Sequence, residues 1–392
     1  MKGRQQEPRI LGIHFPYKSQ HPEFSAIIKK LLLLFRSAFV LHYLCITKQS
    51  IIIRNNCEKS PNHSPSNYDP MKTILLSILL SFLTMGSHAQ EGFTTQGPQL
   101  IDAAGYPFII AGINNPHAWF GERAFQALDY IAATGANTVR IVWQTRGQTE
   151  ELERVITKCI TLKMIPMVEL HDVTGNASRE RLLDMARYYC RDDVKAMLMR
   201  HQRYLLINIA NEWGSHKVTA KHWLQSYIDA VSLMRKAGYT TTLVVDAPGW
   251  GQNIQPILKK GKALIENDPL HNILFSVHMY GSWNDLFAIN DKLNAAKQKN
   301  LPLIVGEFGY NYDNGHNNLR CKADHRHILA TCHRLGYGFM PWSWTGNNHE
   351  NAWLDMVDNK DWKTPTWWGR EVIEGTNGIR QTACRAKVFE EE

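Results

Sequence analysis

The sequence has little that would mark a metal, redox or nucleotide protein. It holds seven cysteines, and no two have a Cys-x-x-Cys or Cys/His spacing suited to zinc. No Gly-x-Gly-x-x-Gly follows the first apolar run, which removes the dinucleotide signature. No His-x-His stands on that run to begin a metal-dependent barrel site. No linker-like stretch interrupts residues 91–392, so one domain is expected there. Surplus charge is also missing from that part. The formal charge is +8, but residues 1–90 hold eleven Lys or Arg against four Asp or Glu. The rest is nearly neutral, so neither nucleic acid nor a membrane surface is expected as a partner.

The N-terminal region reads differently. Met71 to Gln90 has a basic start at Lys72, an apolar run from Thr73 to Met85, and Ser87-His88-Ala89 as a small-x-small cleavage site. That is the pattern of a secretory signal over 71–89, and the apolar run is too short to span a bilayer. No cysteine follows the cleavage site to carry a lipid anchor. Before it, residues 1–70 contain an interrupted apolar stretch (Leu31–Ile46) and a polar one (Asn55–Pro70). The expectation is that translation starts at Met71 and that 1–70 is a start-site artefact; the alternative is an uncleaved membrane-proximal extension. A secreted, extracellular chain of residues 90–392 follows. Its five cysteines, Cys159, Cys190, Cys321, Cys332 and Cys384, are odd in number. Cys159 and Cys190 could pair, and spacing alone does not decide it.

What is present is a period: apolar run, loop, amphipathic helix. The runs are Pro107–Asn114, Asn137–Trp143, Ile165–Asp172, Tyr204–Trp213, Thr241–Ala247, Asn272–Tyr280, Leu301–Phe308 and Gly336–Trp344. Helical patterns lie between them, as at Phe125–Thr134 and Trp223–Gly238. Eight such units predict an α/β fold, a (β/α)8 TIM barrel, with a doubly wound open sheet as the alternative. Residues Gln99 to Tyr106 read as a hairpin closing the barrel bottom.

The ends of these runs carry the chemistry. LLINIANEWG, Leu205–Gly214, delivers Asn211 and Glu212. LPLIVGEFGY, Leu301–Tyr310, delivers Glu307. Other ends bring Asn114, His117 and Trp119, then Arg140, His171, Asp172, Asp246, His278, Tyr280, Trp342 and Trp344. Two carboxylates on facing strand tips are what cleavage of a glycosidic bond requires, ~5–5.5 Å apart in a retaining mechanism. Glu212, between an amide and an indole, is expected to have a raised pKa and act as acid. Glu307, near Arg140 and Tyr280, is expected to stay ionised and act as nucleophile. All twelve Trp lie beyond residue 90. Trp119, Trp143, Trp213, Trp250, Trp283, Trp342 and Trp344 fall at or after run ends, where aromatic faces can stack on sugar rings.

NIANEW (Asn208–Trp213) and VGEFG (Val305–Gly309) resemble the acid/base and nucleophile motifs of clan A glycoside hydrolases, family 5. GINNPHAWF (Gly112–Phe120), GANTVRIV (Gly135–Val142), VELHDVTG (Val168–Gly175), VVDAPGWGQ (Val244–Gln252), SVHMY (Ser276–Tyr280) and PWSWTGN (Pro341–Asn347) are similar to the bacterial-type endo-β-1,4-mannanase subfamily. The resemblance implies Glu212 as acid/base and Glu307 as nucleophile. It implies Arg140, His171, Asn211, His278, Tyr280 and Trp342 as the substrate-binding shell, Asn211 holding the 2-hydroxyl; Trp119, which follows a run end and flanks the carboxylates, is expected to join them as a stacking platform. It implies β-mannan polysaccharide as substrate, no cofactor and no metal; a monomer is expected. Trp143 departs from the smaller aliphatic residue common in the family. The loops after Glu212 and Tyr280 also depart. A β-1,4-glucanase and a non-catalytic carbohydrate-binding barrel are the rival readings. A metal site on His171, Asp172, His278 and Asp246 is a third.

Overall fold

The computed structural model describes residues 92–390, so the signal and the leader before it lie outside the described residues. Three short strands come first: β1 (Thr94–Gln96), β2 (Gln99–Ile101) and β3 (Pro107–Phe108), paired antiparallel. Eight parallel strands follow: β4 (Gly112–Asn115), β5 (Thr138–Trp143), β6 (Ile165–Leu170), β7 (Leu206–Asn208), β8 (Leu243–Asp246), β9 (Ile273–Met279), β10 (Leu303–Phe308) and β11 (Gly338–Phe339). Each pairs with its sequence neighbours, and a parallel bridge from Ala111 to Phe339 joins the last strand to the first. The (β/α)8 barrel is therefore present.

The strands read as unbroken apolar runs because both faces are covered. Every residue of β5, β6, β9 and β10 is buried. The helices between them are one-sided. In α1 (His117–Ala133) and α2 (Thr149–Thr161) the buried residues recur at helical spacing, as Leu152, Val155, Ile156 and Cys159 in α2. Then come α3 (Arg179–Tyr189), α4 (Asp192–Arg200) and α5 (Ala220–Lys236). In α5, Thr219 caps the first turn by accepting from the His222 amide. Gly238 follows its end in a left-handed conformation, as its position predicts.

Three expectations change. The run Pro107–Asn114 is two strands, β3 in the small sheet and β4 in the barrel. The hairpin has an extra strand, β1, and its turn is pinned by Asp102, whose carboxylate accepts from the amides of Ala104 and Tyr106. Cys159 and Cys190 are not bonded; all five described cysteines are free thiols. Cys159 faces the core of α2, whereas the Cys190 thiol points at the Leu233 carbonyl of α5.

The bottom of the barrel is plugged. Phe93, Leu100, Phe108 and Ile110 cluster with the inward residues Ile165, Met167, Leu206, Val244, Leu274, Ile304 and Met340. Ala386, Val388 and Phe389 from the C-terminus complete that cluster. Buried polar groups at this end, such as the Arg235–Asp268 pair and Asn272, lie around the plug, and those inside the barrel collect at the other end. Among the described residues, no helix is long and apolar enough to cross a membrane.

Candidate active site

Arg140 organises the open end. It points inward from β5 and is 1% exposed. Its Nη1 donates to Glu307 Oε1 at 2.9 Å and to Asn114 Oδ1 at 3.0 Å. Its Nη2 donates to Asn211 Oδ1 at 2.7 Å and to Asn208 Oδ1 at 2.8 Å, and Nε also reaches Asn208. Glu169 and Asp246 stand 3.8 and 3.7 Å away. A buried guanidinium is tolerable only with such a ring of acceptors and carboxylates.

Glu307 is aimed by a β-bulge. The pairing of β10 with β9 slips between Val305 and Glu307, so that Glu307 lies opposite His278. Gly306 occupies the slip, and a Cβ there would sit 2.2 Å from Ser276 Oγ. The second oxygen of Glu307 accepts from the Tyr280 hydroxyl at 2.9 Å. Both oxygens thus face donors, the pattern of an ionised carboxylate.

Glu212 comes from the loop after β7. That strand is only three residues long, and Glu212 lies beyond it in a left-handed backbone conformation, φ +48°. Its amide donates to Asp246 Oδ2 at 2.9 Å and its carbonyl accepts from Gly175, which holds the unusual conformation in place. The His278 Nδ1 hydrogen-bonds Glu212 Oε1 at 2.7 Å and lies 3.4 Å from Glu307 Oε2. One oxygen from each carboxylate and a His278 ring nitrogen lie within 4.8 Å of one another.

The protonation order differs from expectation. Burial alone would raise Glu212, but the hydrogen bond and charge of His278 outweigh it and hold Glu212 below the ordinary glutamate value. Glu307 moves upward, through burial first, with the charge of Glu212 adding and His278 and Arg140 opposing. Burial disfavours a charged His278, yet Glu307, Asp246 and Glu212 together push it up to about 9. The proton between the two therefore rests on His278 rather than on Glu212. The anticipated apolar setting for Glu212 is absent: its partner is an imidazole.

The remaining expected residues divide. His171 is bonded through Nδ1 to buried Glu169 at 3.0 Å, and stacks on Trp342 with ring centres 5.9 Å apart. Trp119 meets His171 edge-on at 5.2 Å and is 45% exposed. Trp342 is half-buried and its indole donates to Asn347 Oδ1. Trp250 is exposed near His216. Trp143, Trp213, Trp283 and Trp344, also expected at the cleft, are buried core, their indoles donating to Tyr188, Ser178, Gln252 and Trp362. Asp172 turns away to the amide and hydroxyl of Thr145, so the alternative metal set of His171, Asp172, His278 and Asp246 does not converge. A cation between Glu212, His278 and Glu307 would face the fixed charge of Arg140, which already occupies Glu307.

Sequence reasoning missed Glu169 and Asn208. A signal existed for Glu169: it precedes His171 by two in a strand, hence shares its inward face. Asn208 accepts twice from Arg140 and donates to Asp246 Oδ1, within an NIANEW motif read only for its last residues.

A parallel barrel with paired carboxylates at the C-terminal ends of β7 and β10 defines a barrel hydrolase. The sequence model of the family "Cellulase (glycosyl hydrolase family 5)" matches residues 101–348. The chain belongs to that family and is a glycoside hydrolase. A mannan endo-1,4-beta-mannosidase of Salipaludibacillus agaradhaerens is 37% identical over 308 residues, covering 77% of this chain and 97% of the relative. Another of Cellvibrio japonicus is 35% identical over 81% of this chain and 74% of its own. Among solved structures, a beta-mannanase from Thermomonospora fusca superposes with a TM-score of 0.70 at 34% identity, over 76% of this chain and 99% of that one.

Proposed function

We propose that this chain is a secreted, monomeric, retaining endo-β-1,4-mannanase acting on mannan, galactomannan and glucomannan. The carrying observation is the closeness of the Glu212 and Glu307 carboxylates, within 4.8 Å through their nearest oxygens. That spacing suits direct attack by a carboxylate and falls short of the ~6.5–9.5 Å an inverting pair needs to admit a water beside the sugar. Glu307, oriented by Arg140 and Tyr280, attacks the anomeric carbon and forms a glycosyl-enzyme. Glu212 protonates the departing oxygen, passing on the proton that His278 Nδ1 holds against its Oε1. It then takes a proton from water, which releases the sugar with its β configuration kept. Asn211 has one amide hydrogen on Thr174 and a second free for the 2-hydroxyl of the sugar. Trp342 and Trp119 supply faces for sugar stacking.

Mannan as the substrate rests on the relatives. Two further T. fusca structures are complexes with mannotriose and mannohexaose, at 35% and 34% identity. Cellulases at 17% identity share the fold alone. Release from the cell rests on the signal at 71–89, with the domain spanning 90–392. A reducing-sugar assay of purified 90–392 on galactomannan, glucomannan, pure mannan and carboxymethylcellulose tests the reading. Endo-type products from the mannans, with the β-anomer appearing first by NMR, are expected. Cleavage of carboxymethylcellulose alone would overturn it in favour of a glucanase.

A further inference from the structure

Glu169 is fully buried, and among the described residues its side chain makes one hydrogen bond, with His171. It lies inside β6, two positions before His171, so the two share the inward face. His171 Nδ1 lies 3.0 Å from Glu169 Oε1. The other carboxylate oxygen is buried without a partner, and Arg140 stays 3.8 Å from Oε1, beyond hydrogen-bond distance. A buried carboxylate is costly, and packing alone would be served by an apolar residue, as Met167 serves one layer below. The charge therefore has work to do, either on His171 or on Arg140.

The geometry favours His171. Its backbone amide is tied to the Trp143 carbonyl, and its ring sits between Trp342, stacked at 5.9 Å, and Trp119, edge-on at 5.2 Å. The Glu169 bond fixes what remains, the turn of the ring and the place of its hydrogen. With Glu169 accepting, Nδ1 carries a hydrogen in either protonation state. Nε2 then points the other way, toward the cleft, where the side chain is 17% exposed.

We propose that Glu169 is a positioning residue for substrate binding: it clamps His171 through Nδ1 and so presents Nε2 to a hydroxyl of the bound sugar. Glu169 touches no substrate itself. Burial pulls the His171 ring toward its neutral form, but the charge and hydrogen bond of Glu169, with Glu307 adding, outweigh burial and Arg140 and hold it above the ordinary histidine value. The charged groups facing the ring are Glu169 on its own strand, Arg140 from β5, Glu212 from the β7 loop and Glu307 from β10. Asp172 is turned to Thr145, and Trp119 and Trp342 are neutral. Nε2 thus donates to the sugar while the ring is charged and only accepts once it is neutral. Which sugar it meets rests on the mannanase reading; the clamp does not.

The test measures kcat/KM on mannohexaose across pH for Glu169→Ala and Glu169→Gln, each in wild-type and His171→Ala backgrounds. Glu169→Ala should lower kcat/KM about tenfold, roughly the worth of one hydrogen bond to a charged group. In the His171→Ala background it should cost nothing further, because Glu169 acts through the ring. Glu169→Gln keeps an acceptor for Nδ1 but loses the charge. It should match wild type at acidic pH, while the alkaline limb set by His171 moves down by about one pH unit. His278 titrates in every variant, so a shift due to His171 must vanish in His171→Ala. An equal fall with and without His171 assigns Glu169 to Arg140 or to the fold and overturns the proposal, as does an unmoved limb in Glu169→Gln. Should the Glu169 variants not fold, nitrogen NMR of wild type with 15N-labelled histidine decides, the His171 signals being those missing from His171→Ala. The neutral ring should carry its hydrogen on Nδ1; a hydrogen on Nε2 overturns the clamp. A wild type inactive on mannohexaose overturns the mannanase reading, and the same cycle on cellohexaose then decides Glu169.

Discussion

Glu307 and Glu212 should differ in what survives their removal. Glu307→Ala should abolish turnover of every substrate, since no glycosyl-enzyme forms without its carboxylate. Glu212→Ala should lose mannan but still form the intermediate from an aryl mannoside, whose leaving group departs without acid help. It should then stall for want of a base. Azide needs no base, so it should rescue Glu212→Ala and give the β-glycosyl azide. In Glu307→Ala, azide should attack directly and give the α-anomer; reversed anomers would mean the roles are exchanged. A second expectation concerns His278. Its folded-state value of about 9 exceeds the ordinary 6.5, so the folded protein holds this proton more tightly than the unfolded chain. The resulting stabilisation, up to about 3 kcal/mol, is complete below about pH 6.5 and lost as pH rises through about 9. Urea midpoints should fall across that window in wild type and much less in His278→Gln; equal slopes in both would refute this. At this scale the sequence made the two glutamates legible, because each ends an apolar run. It hid their protonation order, because the imidazole that sets it comes from a strand sixty-six positions away.

Among the elements, β10 shows most directly how backbone places chemistry. Its bulge at Gly306 turns Glu307 toward His278 and Arg140. Gly306→Ala should push a methyl against Ser276 Oγ, tilt Glu307 off Arg140 and cut kcat at least about tenfold, since small misplacements at a reacting centre are costly. Ser276→Ala removes the clashing oxygen and leaves the next Ser276 atom 3.4 Å from the new methyl. The double variant should therefore recover most of the lost kcat, and a double variant no better than Gly306→Ala would refute the steric account. The bulge was not legible, since a Gly before a Glu reads equally as a plain strand. The eight runs were legible as elements, but the ends of β7 and β11 were read too long. After β7, the Asn211 amide turns to the Leu170 carbonyl and the ladder with β8 ends. After β11, Pro341 brings no amide hydrogen, and the chain bonds alternately to Val305, Phe308 and Asn114. Extended, apolar and hydrogen-bonded residues continue past both ends without a regular ladder, and composition cannot tell the two apart.

Across the whole molecule, stability and chemistry occupy opposite ends of the barrel. The open end carries Glu212, Glu307, Glu169 and Asp246 around Arg140 and His278, a costly set of buried charges held by one another. The closed end carries none of these six; its own buried charges are Asp102 and the Arg235–Asp268 pair. There the N-terminal sheet and the C-terminal segment seal the apolar interior, with Phe389 stacked on Tyr204 at 5.1 Å and the Val388 amide donating to Asp102. Such a plug has no line of contact to the carboxylates other than the packed strands themselves. Phe389→Ala should cost about 3 kcal/mol, the usual figure for deleting a buried ring. Because the strands remain paired, kcat on mannan at 25 °C should stay within a factor of two of wild type in protein that is still folded there. Urea unfolding followed by fluorescence, alongside initial rates on the same samples, checks both halves. A loss of kcat matching the loss of stability would mean that the plug tunes the site through the barrel. Unaltered stability would mean that the barrel is sealed without Phe389.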